Sequence, residues 1–147
     1  MNLAERLNED MKQAMRDGNK FRLQTIRMVR ASIKNQEIEL RRPLEENETL
    51  NILSRELKQR RDSLEDFKRG DREDLVSNVT AEIEIISEYL PQQLTEEEVK
   101  AIVAQTMQET GASSKADLGK LMGALMPKVK GLADGKLVNA IVQQSLQ

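Results

Sequence analysis

Residues 19–43 read NKFRLQTIRMVRASIKNQEIELRRP, and this stretch decides the fold class. At about 100° per residue, Ile26, Val29, Ile33 and Leu40 fall on one side of a helix, and Lys20, Arg27, Arg30 and Lys34 gather on another. Asn19 is a natural cap for its start. Arg41-Arg42-Pro43 ends it, because a proline ring disfavours helical geometry in the residue before it. The segment is predicted as a helix to about Leu40.

The same chemistry continues on both sides. Upstream, Asn2 with Glu5 forms a capping pair, Leu3, Leu7, Met11 and Met15 recur at helical spacing, and Gly18 is a stop. Downstream, a third helix is predicted from about Glu48 to Arg69, with Leu50, Leu53, Leu57, Leu64 and Phe67 inward. Gly70 ends it, Asp71 caps a fourth helix through Leu90, and Pro91 stops that one. Thr95 followed by Glu96, Glu97 and Glu98 caps a fifth, which ends at Gly111. Ser114 with Asp117 opens a sixth that reaches Met126-Pro127 or kinks through it. Gly131 then turns the chain, and Asp134 caps a last helix from about Gly135 to Ser145. The expected architecture is all-α: a four-helix bundle over residues 1–91, followed by a smaller three-helix bundle over residues 92–147.

Composition agrees with helix-on-helix packing. Aromatic residues are only 2% (Phe21, Phe67 and Tyr89), so a core must come from Leu, Ile, Val, Met and Ala. There is no Cys, which excludes disulfides and thiolate metal sites. There is no His, which removes the commonest general base and zinc ligand. No apolar run is long enough to cross a bilayer, and the polar N-terminus does not read as a signal peptide. A cytoplasmic protein with no membrane partner is expected.

The acids do not form a catalytic pair on this reading. Glu82, Glu84 and Glu88 interleave with Ile83, Ile85 and Ile86 in the manner of a solvated helix face. Ser87, Ser113 and Ser114 have no His to activate them, and the glycines form no phosphate loop. No catalytic residue, metal or cofactor is implied.

Charge is unevenly spread on a chain whose net charge is −2. Residues 20–36 hold Lys20, Arg22, Arg27, Arg30 and Lys34 with no acid. Residues 113–136 hold Lys115, Lys120, Lys128, Lys130 and Lys136 against Asp117 and Asp134. Segregation of this kind can orient a polyanion. In the second region Gly119 and Gly123 stand four apart on a predicted helix, where each costs about 1 kcal/mol relative to Ala. Such a cost points to a close approach, by a neighbouring helix or by a ligand backbone. With so few aromatics a base-stacking platform is poor, and recognition of RNA by shape and phosphate is what remains.

The stretch Met122-Gly123-Ala124-Leu125-Met126-Pro127-Lys128-Val129-Lys130-Gly131, followed by Ala133-Asp134-Gly135-Lys136-Leu137-Val138-Asn139, resembles the YqeY family. So do Ile33-Lys34-Asn35, Arg60-Arg61-Asp62-Ser63 and Tyr89-Leu90-Pro91-Gln92-Gln93-Leu94. The resemblance implies the fold of the tail of the B subunit of glutamyl/aspartyl-tRNA amidotransferase, a four-helix bundle followed by a three-helix bundle. A similar module is fused to some glutaminyl-tRNA synthetases. By position, the block from Gly119 to Asn139 matches the part associated with tRNA contact, whereas the nucleotide-binding domain of that B subunit has no counterpart here.

The expected function is therefore a non-catalytic, tRNA-associated accessory module. Lys120, Lys128, Lys130 and Lys136 would contact phosphates, with Arg27, Arg30 and Lys34 as a second patch. Gly119, Gly123, Gly131 and Gly135 would admit close backbone approach. Two alternatives stand beside it. One is an adaptor that docks on an aminoacyl-tRNA synthetase or an amidotransferase, and the other is participation in a glutamine-dependent carbon–nitrogen ligase complex.

Overall fold

The computed structural model describes all of residues 1–147 and is entirely helical, with no strand. Its elements are α1 (Leu3–Asp17), α2 (Lys20–Leu40), α3 (Glu46–Arg69), α4 (Glu73–Ser87), α5 (Glu96–Thr110), α6 (Leu118–Val129) and α7 (Gly135–Ser145), with one short 3-10 turn at Lys115–Asp117. The chain divides into two compact units, Met1–Leu90 and Pro91–Gln147. No helix is long and apolar enough to cross a membrane.

Local chemistry sets most of the boundaries. Asn2 and Glu5 form a reciprocal capping box at the start of α1, and Gly18 closes it at φ 68°. Asn19 accepts the Arg22 N–H at 3.1 Å to begin α2, so the two helices are joined by a tight turn. Thr95 caps α5, Gly111 ends it at φ 73°, and Asp134 caps α7.

Three boundaries differ from the sequence reading. Helix α3 starts two residues early, because Glu45 and Glu48 make the capping box. Asp71 does not cap α4; it takes the left-handed conformation (φ 55°) that ends the α3 turn, and Arg72 precedes the first residue of α4. Helix α4 stops at Ser87, and Tyr89 and Leu90 leave it to fold back into the core, 4% and 9% exposed. Pro127, by contrast, is tolerated inside α6.

Leu7, Ile26, Val29, Ile33, Leu53 and Leu57 are buried in the first unit, joined by Ile86 and Tyr89. Met15 and Leu40, assigned to apolar stripes above, are instead exposed, and Leu64 and Phe67 are only half-buried. The second unit closes around Val99, Val103, Leu121, Leu125, Val138 and Val142. Its last residue is tied down as well: Gln147 exchanges backbone hydrogen bonds with Ser113 and Lys115 at 3.1 Å each.

Candidate nucleic-acid interface

In the second unit, the stripe Leu121, Leu125 and Val129 turns α6 toward the core. Gly119, Lys120, Gly123, Met126 and Pro127 are therefore left on the outward side, with Lys130 just beyond. Nothing lies within 4 Å of a Cβ placed on Gly119 or Gly123. Packing within the second unit does not explain these glycines, since none of its helices approaches them. Pro127 adds to the exposed backbone: it has no N–H, so the Gly123 carbonyl four residues earlier lacks its helical donor.

The lysines separate. The Lys130 side chain makes no ion pair or hydrogen bond, and the residue is exposed. Lys120 is also exposed and contributes to holding the Asp117 carboxyl below the usual carboxylate range. The main causes of that shift are the Ser113 and Ser114 backbone N–H groups, which donate to Asp117 at 3.0 and 3.3 Å. Lys128, expected to contact phosphate, is paired within the second unit. Its Nζ donates to Glu109 at 2.8 Å and to the buried Thr106 hydroxyl at 3.0 Å, fastening α6 to α5. Lys136 is exposed in the first turn of α7, where the Asp134 carboxylate already accepts its backbone N–H at 3.3 Å. Gly131 makes the turn before that helix at φ 77°, and Gly135 is open.

In the first unit, the acids of α4 do not neutralise the exposed cations of α2. Glu82 accepts instead from Arg60 Nε at 3.0 Å, and Glu84 is exposed. Arg22 alone of the α2 cations is neutralised by a close carboxylate, Glu88, at 2.8 Å, which raises its pKa. Arg27 and Lys34 form no ion pair, and the Arg30 guanidinium rests against the Met11 sulfur. Arg27, Arg30 and Lys34 together border a depression of about 370 Å³ floored by Ala4, Leu7 and Ala31.

A model of the family described as "Yqey-like protein" matches residues 4–146. The chain belongs to the YqeY family. This YqeY-family chain is 30% identical over 142 residues to "Altered inheritance of mitochondria protein 41, mitochondrial" of Pyrenophora tritici-repentis, covering 95% of this chain and 78% of that one. It is 37% identical over 111 residues to the protein of the same name from Lachancea thermotolerans, covering 74% and 59%. The Saccharomyces cerevisiae (strain YJM789) protein of that name is 28% identical over 149 residues, covering 94% and 80%. These names overturn the expectation of a cytoplasmic protein, since the relatives are designated mitochondrial. Absence of Cys and a polar N-terminus report on chemistry, and they do not fix a compartment.

Two segments that carried the resemblance to the YqeY family serve the structure. Arg60 Nη1 donates to the Glu56 carboxylate at 2.6 Å, Ser32 donates to the other Glu56 oxygen at 2.6 Å, and Arg60 Nε reaches Glu82. One buried network thus joins α2, α3 and α4. Tyr89 donates to Asp10, and the Arg6 guanidinium lies 4.6 Å from its ring centroid. Burial, then the bond to Asp10, pushes the Tyr89 hydroxyl pKa well up. Sequence reasoning passed over Glu56 entirely, although an acid facing inward beside Leu53 and Leu57 was a usable signal.

Proposed function

We propose that this YqeY-family chain is a non-catalytic tRNA-associated accessory module, an N-terminal four-helix bundle (residues 1–91) followed by a smaller three-helix bundle (residues 92–147). The outward side of α6 is its RNA-facing surface. One observation carries this reading: Gly119 and Gly123 stand on an exposed helix face with nothing of the second unit against them. Two glycines cost such a helix about 1 kcal/mol each, and no internal packing recovers it. A flat surface of this kind admits a sugar–phosphate backbone. Lys120 and Lys130 flank it as phosphate contacts, with Lys136 beyond, and the Gly123 carbonyl is an acceptor suited to a ribose 2′-OH. Lys128 supports the face from behind rather than touching RNA.

The test is the Gly119→Ala/Gly123→Ala double variant. Its α6 should be more stable, by about 1 kcal/mol per site, because neither φ nor space opposes a methyl group. Its affinity for tRNA should nevertheless fall. A companion Lys120→Ala/Lys130→Ala variant should make the salt dependence of binding shallower by roughly 1 per lysine. Unchanged tRNA affinity in both variants would remove α6 as the interface.

A further inference from the structure

We propose that the seam between α1 and α2 is a docking channel for an acidic amphipathic helix of a partner protein. The surface lies wholly in the first unit, and it stands or falls independently of the α6 reading.

The seam is long enough for such an occupant. Helices α1 and α2 run antiparallel from the Gly18–Asn19 turn, so Ala4 lies beside Lys34 and Met15 beside Lys20 and Leu23. Two depressions follow it, one of about 370 Å³ near Ala4 and Lys34 and one of about 280 Å³ near Met15 and Leu23. Arg30 and Met11 sit between them. From Lys20 to Lys34 is about 21 Å along the axis, four turns of a docked helix.

Its chemistry is mixed in a specific way. The floor is apolar, and Met15 on one bank is 53% exposed. On the other bank Arg27, Lys34 and Ile38 share one face of α2, with Ile38 67% exposed. Methionine on an exposed helix surface adapts to apolar side chains of varied shape. Lys20, Arg27 and Lys34 are unpaired although the chain carries 25 acids. Glu37 is the acid bordering the larger depression, and its carboxylate is occupied by the Leu44 backbone N–H at 3.0 Å. The channel thus offers uncompensated positive charge along an apolar trough.

Charge complementarity and the trough together select the occupant. Phosphates would satisfy the cations and leave Met15 and Ile38 wet, and the seam has no aromatic ring on which a base could stack. A helix with Leu at i, i+4, i+7 and i+11 and carboxylates on both flanks would cover the apolar floor and meet Lys20, Arg27 and Lys34 at once.

The probe is a fluorescent peptide of about 16 residues with that Leu and Glu pattern. It is titrated against the full chain by anisotropy, beside a Lys-for-Glu version, a scrambled version and a single-stranded RNA. The Leu/Glu helix should bind, and the Lys and scrambled versions should not. Arg27→Glu/Lys34→Glu and, separately, Met15→Glu should each weaken it by roughly tenfold or more. All three positions are exposed, and unchanged Tyr89 emission would show that the variants remain folded. Failure of the Leu/Glu peptide to bind, or binding indifferent to these changes, would overturn the proposal. So would RNA binding that needs Arg27 and Lys34 but ignores Met15→Glu, because the seam would then be a phosphate surface.

Discussion

Arg60 ties α3 to α4 through a partly buried charge network whose loss should cost the first unit several kcal/mol. It gives three hydrogen bonds: to the Glu56 carboxylate at 2.6 Å, to the Glu56 carbonyl at 3.2 Å and to Glu82 at 3.0 Å. The Arg60, Glu56 and Glu82 side chains are only 12%, 11% and 22% exposed. Truncation to Ala would strand the Glu56 carboxylate in the core with Ser32 as its one side-chain donor. Removing one partner of a buried pair costs about 3–5 kcal/mol. The Ser32 bond and the more accessible Glu82 place Arg60→Ala near the lower end, about 3 kcal/mol. Tyr89 is the sole tyrosine and there is no Trp, so its emission during urea unfolding reports on the first unit. Replacing both members, as Glu56→Leu/Arg60→Met, should recover most of the loss, because it removes the uncompensated charge. A loss below about 1 kcal/mol for Arg60→Ala would refute the reasoning. So would a double variant as unstable as the single one.

Two ion pairs, Arg42–Glu48 and Lys128–Glu109, give further expected outcomes. Arg42 and the Glu45 backbone N–H hold the Glu48 pKa down to about 2, so this carboxylate stabilises the fold above its unfolded value and loses that effect as pH falls toward 2. Wild type should therefore lose stability between about pH 4.5 and 2 in acid titrations by circular dichroism, and Glu48→Gln should show a flatter profile across that window. Lys128→Ala should lower stability by about 1 kcal/mol through the lost bonds to Glu109 and Thr106, measurable as a lower melting temperature.

Those parts of the fold that local chemistry dictates were legible in the sequence. Asn2 with Glu5, Gly18, Asn19, Thr95, Gly111 and Asp134 act within one turn of their own positions, and each marks the boundary it suggests. Asp71 misled because a cap and a left-handed turn both suit aspartate, and only the path of the chain decides between them. Helical spacing read Glu82 as part of a solvated face, whereas it is only 22% exposed and accepts from Arg60 of another helix, which spacing along α4 could not reveal. The partner of Lys128 was hidden in the same way, Glu109 lying 19 residues away on α5. Gly119 and Gly123 show the opposite case. The sequence could state their cost, and the structure was needed to show that no helix of the second unit approaches them.

Contact with tRNA is tested most directly by titration of the full chain against bulk tRNA and a length-matched DNA duplex at two salt concentrations. Binding should prefer tRNA and weaken by orders of magnitude from low to moderate salt, as release of counterions requires. Absence of tRNA binding at low salt, or equal affinity for the DNA duplex, would contradict it.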